Sequence, residues 1–288
     1  MRVFVTGGSG FLGRHTVPLL RDAGHEVAAL ARRSGAAGVL EEAGARAVAG
    51  DLDDATSFRA AITSSRPDAL VNLASLGFGH APTIVAGAEA AGLGRAVFIS
   101  TTAIFTTLEA RSKAVRLAAE HTVRRSSLDW TVLRPTMIFG GPDDRNMARL
   151  LRLLRVAPLV PLPAGGRALQ QPIHVDDLAA AVVAALDRPA TVGRAYNLAG
   201  PEPLPLSRVV SEAAAALGRS PRLVPFPLGP ARAVVGTYER LVARPRLRAE
   251  QVERLGEDKA VDISDARHDL GFAPRPFAAA IRAQAAAR

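Results

Sequence analysis

The sequence predicts an α/β protein of the Rossmann type. The expected architecture is a doubly wound parallel sheet with helices on both faces and a smaller C-terminal substrate lobe. Three observations predict it. A β-branched strand, "RVFVT" at residues 2–6, opens the chain and runs directly into "GGSGFLG". Short apolar strands then alternate with helical stretches as far as residue 136. After about residue 140 the alternation gives way to helices and proline-rich segments.

Residues 2–6 have the composition of a buried parallel strand. Gly7, Gly10 and Gly13 follow in a G-x-x-G-x-x-G arrangement, and "RHTVPLLRDAG" then carries apolar residues at helical spacing up to Gly24. Such glycines allow a tight turn and a close approach of backbone to a pyrophosphate. The helix start adds amide donors and a favourable dipole. Gly7, Gly10, Phe11, Leu12 and Gly13 are therefore candidate dinucleotide contacts.

The second strand, "HEVAALAR", selects between dinucleotides. An NAD site wants a carboxylate there, about 20 residues after the glycines, to accept from the ribose 2′-hydroxyl. This chain instead has Ala31 followed by Arg32 and Arg33. Two guanidiniums suit a 2′-phosphate, so NADP(H) is favoured over NAD(H). The alternative is a pair of surface arginines in an arginine-rich chain.

"ARAVAGDLDD" is the third strand, ending at Asp51, Leu52 and Asp53, and "DALVNLAS" is the fourth, ending in Asn72, Leu73, Ala74 and Ser75. "RAVFISTT" is the fifth, a helix covers about 110–125, and "DWTVLRPT" is the sixth. Ligands of a doubly wound sheet sit at the C-terminal strand ends, where Asp51, Asn72–Ser75, Ser100–Thr102 and Arg134–Thr136 all fall. Arg145, Arg149, Arg152 and Arg155 alternate with leucines as an amphipathic helix beside a cleft. Further helices are expected at 175–187, in "PLSRVVSEAAAALG" and in "PARAVVGTYERLVARP", with "PRLVPFPL" extended between the last two.

Composition sets the outer limits. Of 288 residues, 48% are hydrophobic and 22% charged, an ordinary globular balance. No cysteine is present, which excludes disulfides and thiolate metal sites. The N-terminal apolar run is too short for a signal peptide, and no run approaches the roughly 20 residues of a membrane span. A cytoplasmic protein is expected. The net charge of +9 means either attraction to anions or a solvated arginine-rich surface. No nucleic-acid module is recognisable, and aromatic residues at 5% are too few for stacking platforms.

The motifs "TGGSGFLG", "GDLDD", "VNLAS", "FISTTAIF", "LRPTMIFGGPDD", "QPIHVDDLAAAV", "YNLAG" and "DARHDLGFAPRP" stand in an order that resembles the extended short-chain dehydrogenases/reductases, the NAD(P)-dependent epimerase/dehydratase family. The resemblance covers almost the whole chain. It implies an NADP(H)-binding domain of residues 1–140 plus 172–200, and a substrate lobe of 141–171 plus 201–288, with some segments returning to the first domain. Asp51 and Leu52 would flank the adenine, and Leu73, Ala74 and Ser75 would line the phosphate and ribose path. Thr101 would be the active-site hydroxyl, and Lys113 would hold the nicotinamide ribose. Pro135 to Ile138 would pass beside the nicotinamide, and His174 would edge the substrate pocket. Asp176 and Asp177, a poor metal site without a third ligand, would cap a helix start. A homodimer through helices around 80–92 and 108–125 is also implied.

One segment departs from the family pattern: "STTAIFTTLEARSKAVRLAAE", residues 100–120. The family pair is Tyr-x-x-x-Lys, but Glu109 stands four residues before Lys113, and the only tyrosines are Tyr196 and Tyr238. A tyrosine titrates at about 10 and a neighbouring lysine brings it toward neutrality, whereas a glutamate starts at about 4.3 and the same lysine pushes it lower. Glu109 would be a carboxylate at neutral pH, a weak base or a charge partner. Its i,i+4 spacing from Lys113, glutamate first, also suits a simple ion pair.

Any replacement acid must come from elsewhere. His80 and His174 have the right titration range, while Thr101 and Thr102 can orient a carbonyl. Tyr238 either lines the pocket or lies on the surface, and Tyr196 is expected to be structural. Two functions follow. One is an NADP(H)-dependent oxidoreductase or epimerase-like enzyme with a non-standard proton relay. Its substrate is a small carbonyl or hydroxyl compound or a nucleotide sugar, and an anionic one would meet Arg145, Arg149 or Arg167. The other is a non-catalytic NADP(H)-binding sensor or assembly protein. Atypical members without the tyrosine include the NADPH-binding accessory subunit of respiratory complex I, which the run from "LRPTMIFGG" to "DDLAAAV" resembles, and the NmrA-like redox sensors.

Overall fold

A computed structural model of the chain describes residues 1–108, 111–141, 143–242 and 256–287. Its central sheet begins with β1 (Arg2–Thr6), β2 (Glu26–Ala31), β3 (Arg46–Ala49), β4 (Ala69–Asn72), β5 (Arg95–Ile99) and β6 (Asp129–Pro135). The chain then forms β7 (Ile138–Phe139), β8 (Leu159–Pro163), β9 (Leu169–Gln170) and β10 (Ile173–His174) before β11 (Arg194–Leu198) returns to the sheet. The strand order is β11-β6-β5-β4-β1-β2-β3, and every pairing within it is parallel. The order reverses between β1 and β4. That is the switch point at which doubly wound sheets open a ligand crevice.

The two faces are filled as strand pleating requires. Val3 and Val5 point into one core, with Val17 and Leu20 of α1 (Phe11–Asp22) and, from farther along the chain, the 175–187 helix. Phe4 points into the other. There it meets Phe58 of α3 (Ala55–Ser65), which follows α2 (Ser34–Glu42), and Ile84 of α4 (Ala81–Ala90). Val123 of α5 (Arg111–Arg124) completes that side.

A third cluster forms the smaller layer. It joins Leu151 and Leu154 of α6 (Met147–Val156) to Val160 and Leu162 of β8. Beyond α7 (Val175–Asp187) and β12 (Leu204–Pro205) it takes in Val209 of α8 (Leu206–Ala215). The chain continues through β13 (Arg222–Phe226), α9 (Leu228–Leu241), α10 (Ser264–Leu270) and α11 (Phe277–Ala286), which adds Phe277 and Ile281 to the same cluster. Ala266, Leu270 and Phe272 instead pack into the first core, so the segment around α10 returns to the sheet. Among the described residues no helix is long and apolar enough to cross a membrane.

The proline-rich stretch after α6 holds more regular structure than its composition suggests. β8 pairs in parallel with β13 despite Pro161 and Pro163. A two-stranded pair leaves each strand an open edge, where a missing N–H costs no ladder bond.

One buried charge fastens the sheet to α5. Glu120 is 4% exposed. It accepts from Ser100 Oγ at 2.6 Å and from Arg134 Nε and Nη2 at 2.9 and 2.6 Å. Burial pushes its carboxyl up, but the bonds from Arg134 and Ser100 outweigh that and leave it below the ordinary glutamate value. A depressed carboxyl contributes stability above its unfolded pKa and loses it as pH falls through the folded value. Glu120→Ala would strand the Arg134 charge, so urea denaturation at neutral pH should show a loss of about 3–5 kcal/mol. The gap between wild type and variant should narrow as pH falls below the ordinary glutamate range, and an unchanged gap would contradict the assignment.

Candidate functional site

β1 ends at Thr6, whose buried hydroxyl donates to Asn72 Oδ1 at 2.6 Å, and Asn72 Nδ2 donates to the Ala74 carbonyl at 3.0 Å. The turns after β1 and β4 are thereby held side by side. Gly7 has φ +72°, and a Cβ there would stand 2.7 Å from the Ala74 nitrogen and 2.8 Å from the Leu73 carbonyl carbon. Both the conformation and the approach require glycine. Gly13, in the first turn of α1, presses against the Gly8 backbone. Leu12 is buried behind that turn. The α1 start at Gly10 has no side-chain cap, so its leading amides keep their donors for an anion.

Three cavities lie in a row over the C-terminal strand ends. The first, about 610 Å³, has Gly7, Ser9, Ala74 and Ser75 in its floor, and Arg32, Arg33, Asp51 and Leu52 around its outer end. The second, about 620 Å³, lies over Ser9, Gly10, Phe11 and Arg14, and faces Ile138 and Arg145. The third, about 460 Å³, is walled by Thr101, Thr102 and Thr106 together with Glu257, Lys259 and Gln170. Ser9 belongs to the first and second, while Thr136, Met137 and Asn146 belong to the second and third. The walls are therefore shared along one crevice.

The structure separates several residues that the sequence groups together. His80 lines the first cavity, where its Nε2 lies 2.8 Å from Asp53 Oδ1, and Arg32 Nη1 lies 3.8 Å from the same carboxylate. It is not brought to Thr101. His174 is a helix cap: its Nδ1 accepts from the Asp176 amide at 3.3 Å, and its ring lies over Gly140 and against Phe139. Burial, with the nearby Arg275 charge, lowers its pKa, so it stands neutral at pH 7. The cap of α7 is thus His174 and not the two aspartates, which pair outward: Asp176 with His15 at 2.6 Å and Asp177 with Arg275 at 2.8 Å.

Lys113 donates from Nζ to the Thr106 carbonyl at 2.6 Å and is not among the residues walling the third cavity. Glu109 lies outside the described residues. Tyr238 sits half-exposed on α9, away from the walls of the crevice. Tyr196 is buried and structural, donating to Asp269 Oδ2 at 2.8 Å, and burial with that carboxylate pushes its phenol up. Pro135 closes β6, with its carbonyl accepting from Thr102 Oγ1 at 3.3 Å, and Leu73 packs into the first core beside the Gly7 turn.

The segment at 257–261, which no sequence motif marked, supplies the far wall of the third cavity. The Glu257 carboxylate accepts from Thr106 Oγ1 at 2.7 Å, the Thr107 amide at 2.6 Å and Thr107 Oγ1 at 3.0 Å. Burial raises its pKa, but these bonds prevail and keep it depressed, so it is a fixed anion rather than a proton donor. Lys259 reaches Gln170 Oε1 from Nζ at 3.3 Å, and its backbone amide donates to Leu169. Among the described residues no cluster of three His, Cys, Asp or Glu side chains could hold a metal ion.

A glycine turn at the strand switch point, an uncapped helix start above it and a crevice running across the strand ends define a dinucleotide-binding α/β protein. Residues 3–199 match the model of the NAD dependent epimerase/dehydratase family, and the chain belongs to that family. Membership makes it an NAD(P)-dependent oxidoreductase or epimerase that uses a nicotinamide dinucleotide. The 4-hydroxy-2-methyl-3-oxo-4-farnesyl-3,4-dihydroquinoline-1-oxide ketoreductase of Stigmatella aurantiaca is 28% identical over 96% of this chain and 92% of its own. A mitochondrial NADH dehydrogenase [ubiquinone] 1 alpha subcomplex subunit 9 of Arabidopsis thaliana is 32% identical over 50% of this chain and 37% of its own. Among solved structures, UDP-N-acetylglucosamine 4-epimerase from Bacillus cereus superposes with a TM-score of 0.74 at 18% identity, covering 100% of this chain and 99% of the other.

The glycine turn gives a direct test. Gly7→Ala should lose roughly 1–3 kcal/mol of stability through the strained backbone alone. It should also abolish the fluorescence change on adding NADPH. A variant that binds NADPH as wild type does would refute the role of this turn.

Proposed function

We propose that the protein is an NADP(H)-dependent oxidoreductase that reduces a small anionic carbonyl compound, with Thr101 orienting the carbonyl oxygen. A single observation carries this reading. Four threonines wall the third cavity, and three have given their hydroxyl protons away: Thr102 to the Pro135 carbonyl, Thr106 to Glu257, and Thr136 to the Gln171 carbonyl. Thr101 Oγ1 accepts from the Ala103 amide at 3.2 Å and donates to none of the described residues. Its proton is left for a ligand in the cavity.

The residues along the crevice suit a nicotinamide dinucleotide. Gly7, Gly10, Phe11, Leu12 and Gly13 would cradle the pyrophosphate, and Asp51, Leu52, Leu73, Ala74 and Ser75 the adenosine half. Arg32 and Arg33 wall the first cavity and would take a 2′-phosphate, which supports NADP(H). Pro135 and Ile138 would flank the nicotinamide. When bound, that group supplies hydride to a carbonyl carbon.

The chain's own part is to place the carbonyl and supply a proton. Thr101 Oγ donates a hydrogen bond to the carbonyl oxygen. Lys259 carries its Nζ in the wall of the same cavity and would supply the proton. Lys113 keeps an indirect role, fixing the Thr106 end of the wall. The ketoreductase relative supports a carbonyl substrate, and the charge of +9 supports an anionic one. The same reading places the protein in the cytoplasm and pairs two copies through α4 and α5. Tight NADPH binding without turnover on a broad carbonyl panel would favour the sensor or assembly role.

Two measurements test the assignment. Thr101→Val should lower kcat/KM for ketone reduction by about 10²–10³ while NADPH affinity is kept. Replacing Arg32 and Arg33 by alanine should weaken NADPH binding about ten- to a hundredfold and leave NADH nearly unchanged. Equal losses for both cofactors would overturn the 2′-phosphate assignment.

A further inference from the structure

We infer that Arg145 and Asn146 form a recognition site for an oxyanion of the substrate, a carboxylate or a phosphate carried on the same small molecule as the carbonyl. The inference rests on the oxidoreductase reading for calling the bound anion a substrate. The anion site itself stands on separate observations.

The first is the local sequence. In the run Asp143-Asp144-Arg145-Asn146 both carboxylates are already committed. Asp143 pairs with Arg14 Nη1 at 2.5 Å, across the crevice on α1. Asp144 is buried and accepts from the amides of Asn146 and Met147 at 2.6 and 3.1 Å, and from Gln284 Nε2 at 3.1 Å. The start of α6 is thereby capped by Asp144 and is not itself the site. The Arg145 guanidinium, by contrast, has no carboxylate partner among the described residues, and the Asn146 carboxamide makes no hydrogen bond to them.

The second is position. Both side chains wall the middle cavity, and Asn146, with Thr136 and Met137, also walls the cavity of Thr101. Of the three arginines that the sequence leaves open for an anionic substrate, only Arg145 lines the crevice; Arg149 and Arg167 do not. Arg14 also faces the middle cavity, but Asp143 offsets its charge. The middle of the crevice therefore holds one guanidinium without an ion-pair partner among the described residues, with a carboxamide next to it. A guanidinium fork takes two oxygens of a carboxylate or phosphate, and an amide N–H₂ can donate to either. A molecule anchored there with its carbonyl at Thr101 carries both groups, as a small oxo acid or a phosphorylated ketone does.

Malonate and inorganic phosphate, neither of them reducible here, read the anion site without turnover. Each is titrated by calorimetry into the full chain, both free and saturated with NADP⁺. The expected result is that at least one anion binds the NADP⁺-saturated chain. Arg145→Met should weaken that binding tenfold or more and Asn146→Ala by a smaller factor, while Arg149→Met leaves it unchanged. NADP⁺ affinity and melting temperature report that each variant is folded, and Arg145→Gln replaces Arg145→Met if the latter fails that check. The preferred anion tells a carboxylate from a phosphate substrate. The inference is overturned if neither anion binds the NADP⁺-saturated chain, if Arg145→Met binds as wild type, or if NADP⁺ displaces the anion, which would give the site to the cofactor's own phosphates. Ketone reduction is not measured, so failure here leaves the oxidoreductase reading standing, and absence of turnover elsewhere leaves the anion site standing.

Discussion

Glu120 is the carboxylate on which the crevice depends. Ser100 and Arg134 both donate to it, and these two residues end adjacent strands immediately before the segments that wall the third cavity. Thr101 follows Ser100, and Pro135 and Thr136 follow Arg134. A shift of α5 against the sheet would therefore move both at once. A buried ion pair adds little net stability over apolar packing, but losing one partner is costly, so its effect is to fix one arrangement. Here the fixed arrangement is the spacing of two strand ends.

Charge is sorted along the crevice in the same way. At the outer end Arg32 shares Asp53 with His80, while Arg33 stands apart from it at the same rim. In the middle Arg14 and Asp143 pair with each other, and Arg145 has no ion-pair partner among the described residues. At the inner end Glu257 is locked by Thr106 and Thr107, and Lys259 stands two residues on. Each anion near the crevice is held by donors of the protein itself, and the uncommitted donors are cationic or neutral. Among the lining residues the cationic excess lies at the outer end and in the middle, whereas the inner end sets Lys259 against Glu257 and Asp258.

The parts of this structure that were legible in the sequence are those specified by neighbours in the chain. Strands β1 to β6 and their helices follow from apolar runs broken by turn residues, and the Gly7 turn follows from a pattern seven residues long. Glu120 gave no such signal, because its partners lie 20 and 14 residues away and a glutamate in an exposed-looking helix is unremarkable by composition. His174 has the titration range of an acid, yet its Nδ1 is taken by the Asp176 amide. His80 has the same range but sits at the far end of the crevice from Thr101. The wall at 257–261 reaches Thr101 only through the return of the C-terminal segment to the sheet, which no local pattern encodes. The prolines of β8 mask a strand, because pattern reading cannot see that it needs only one ladder.

The segment from Ser100 to Glu120 closes on itself, since its first and last residues share a hydrogen bond. The clasp holds Thr101, and the Lys113 amine braces the loop between through the Thr106 carbonyl. Thr106 is in turn tied to Glu257, two residues before Lys259. Lys113 is thus coupled through one threonine to the segment that carries Lys259. In the family's usual arrangement a tyrosine supplies the proton and a lysine tunes it. Here Thr101 and Lys259 line one cavity, and the segments that carry them are joined by the Thr106–Glu257 bond.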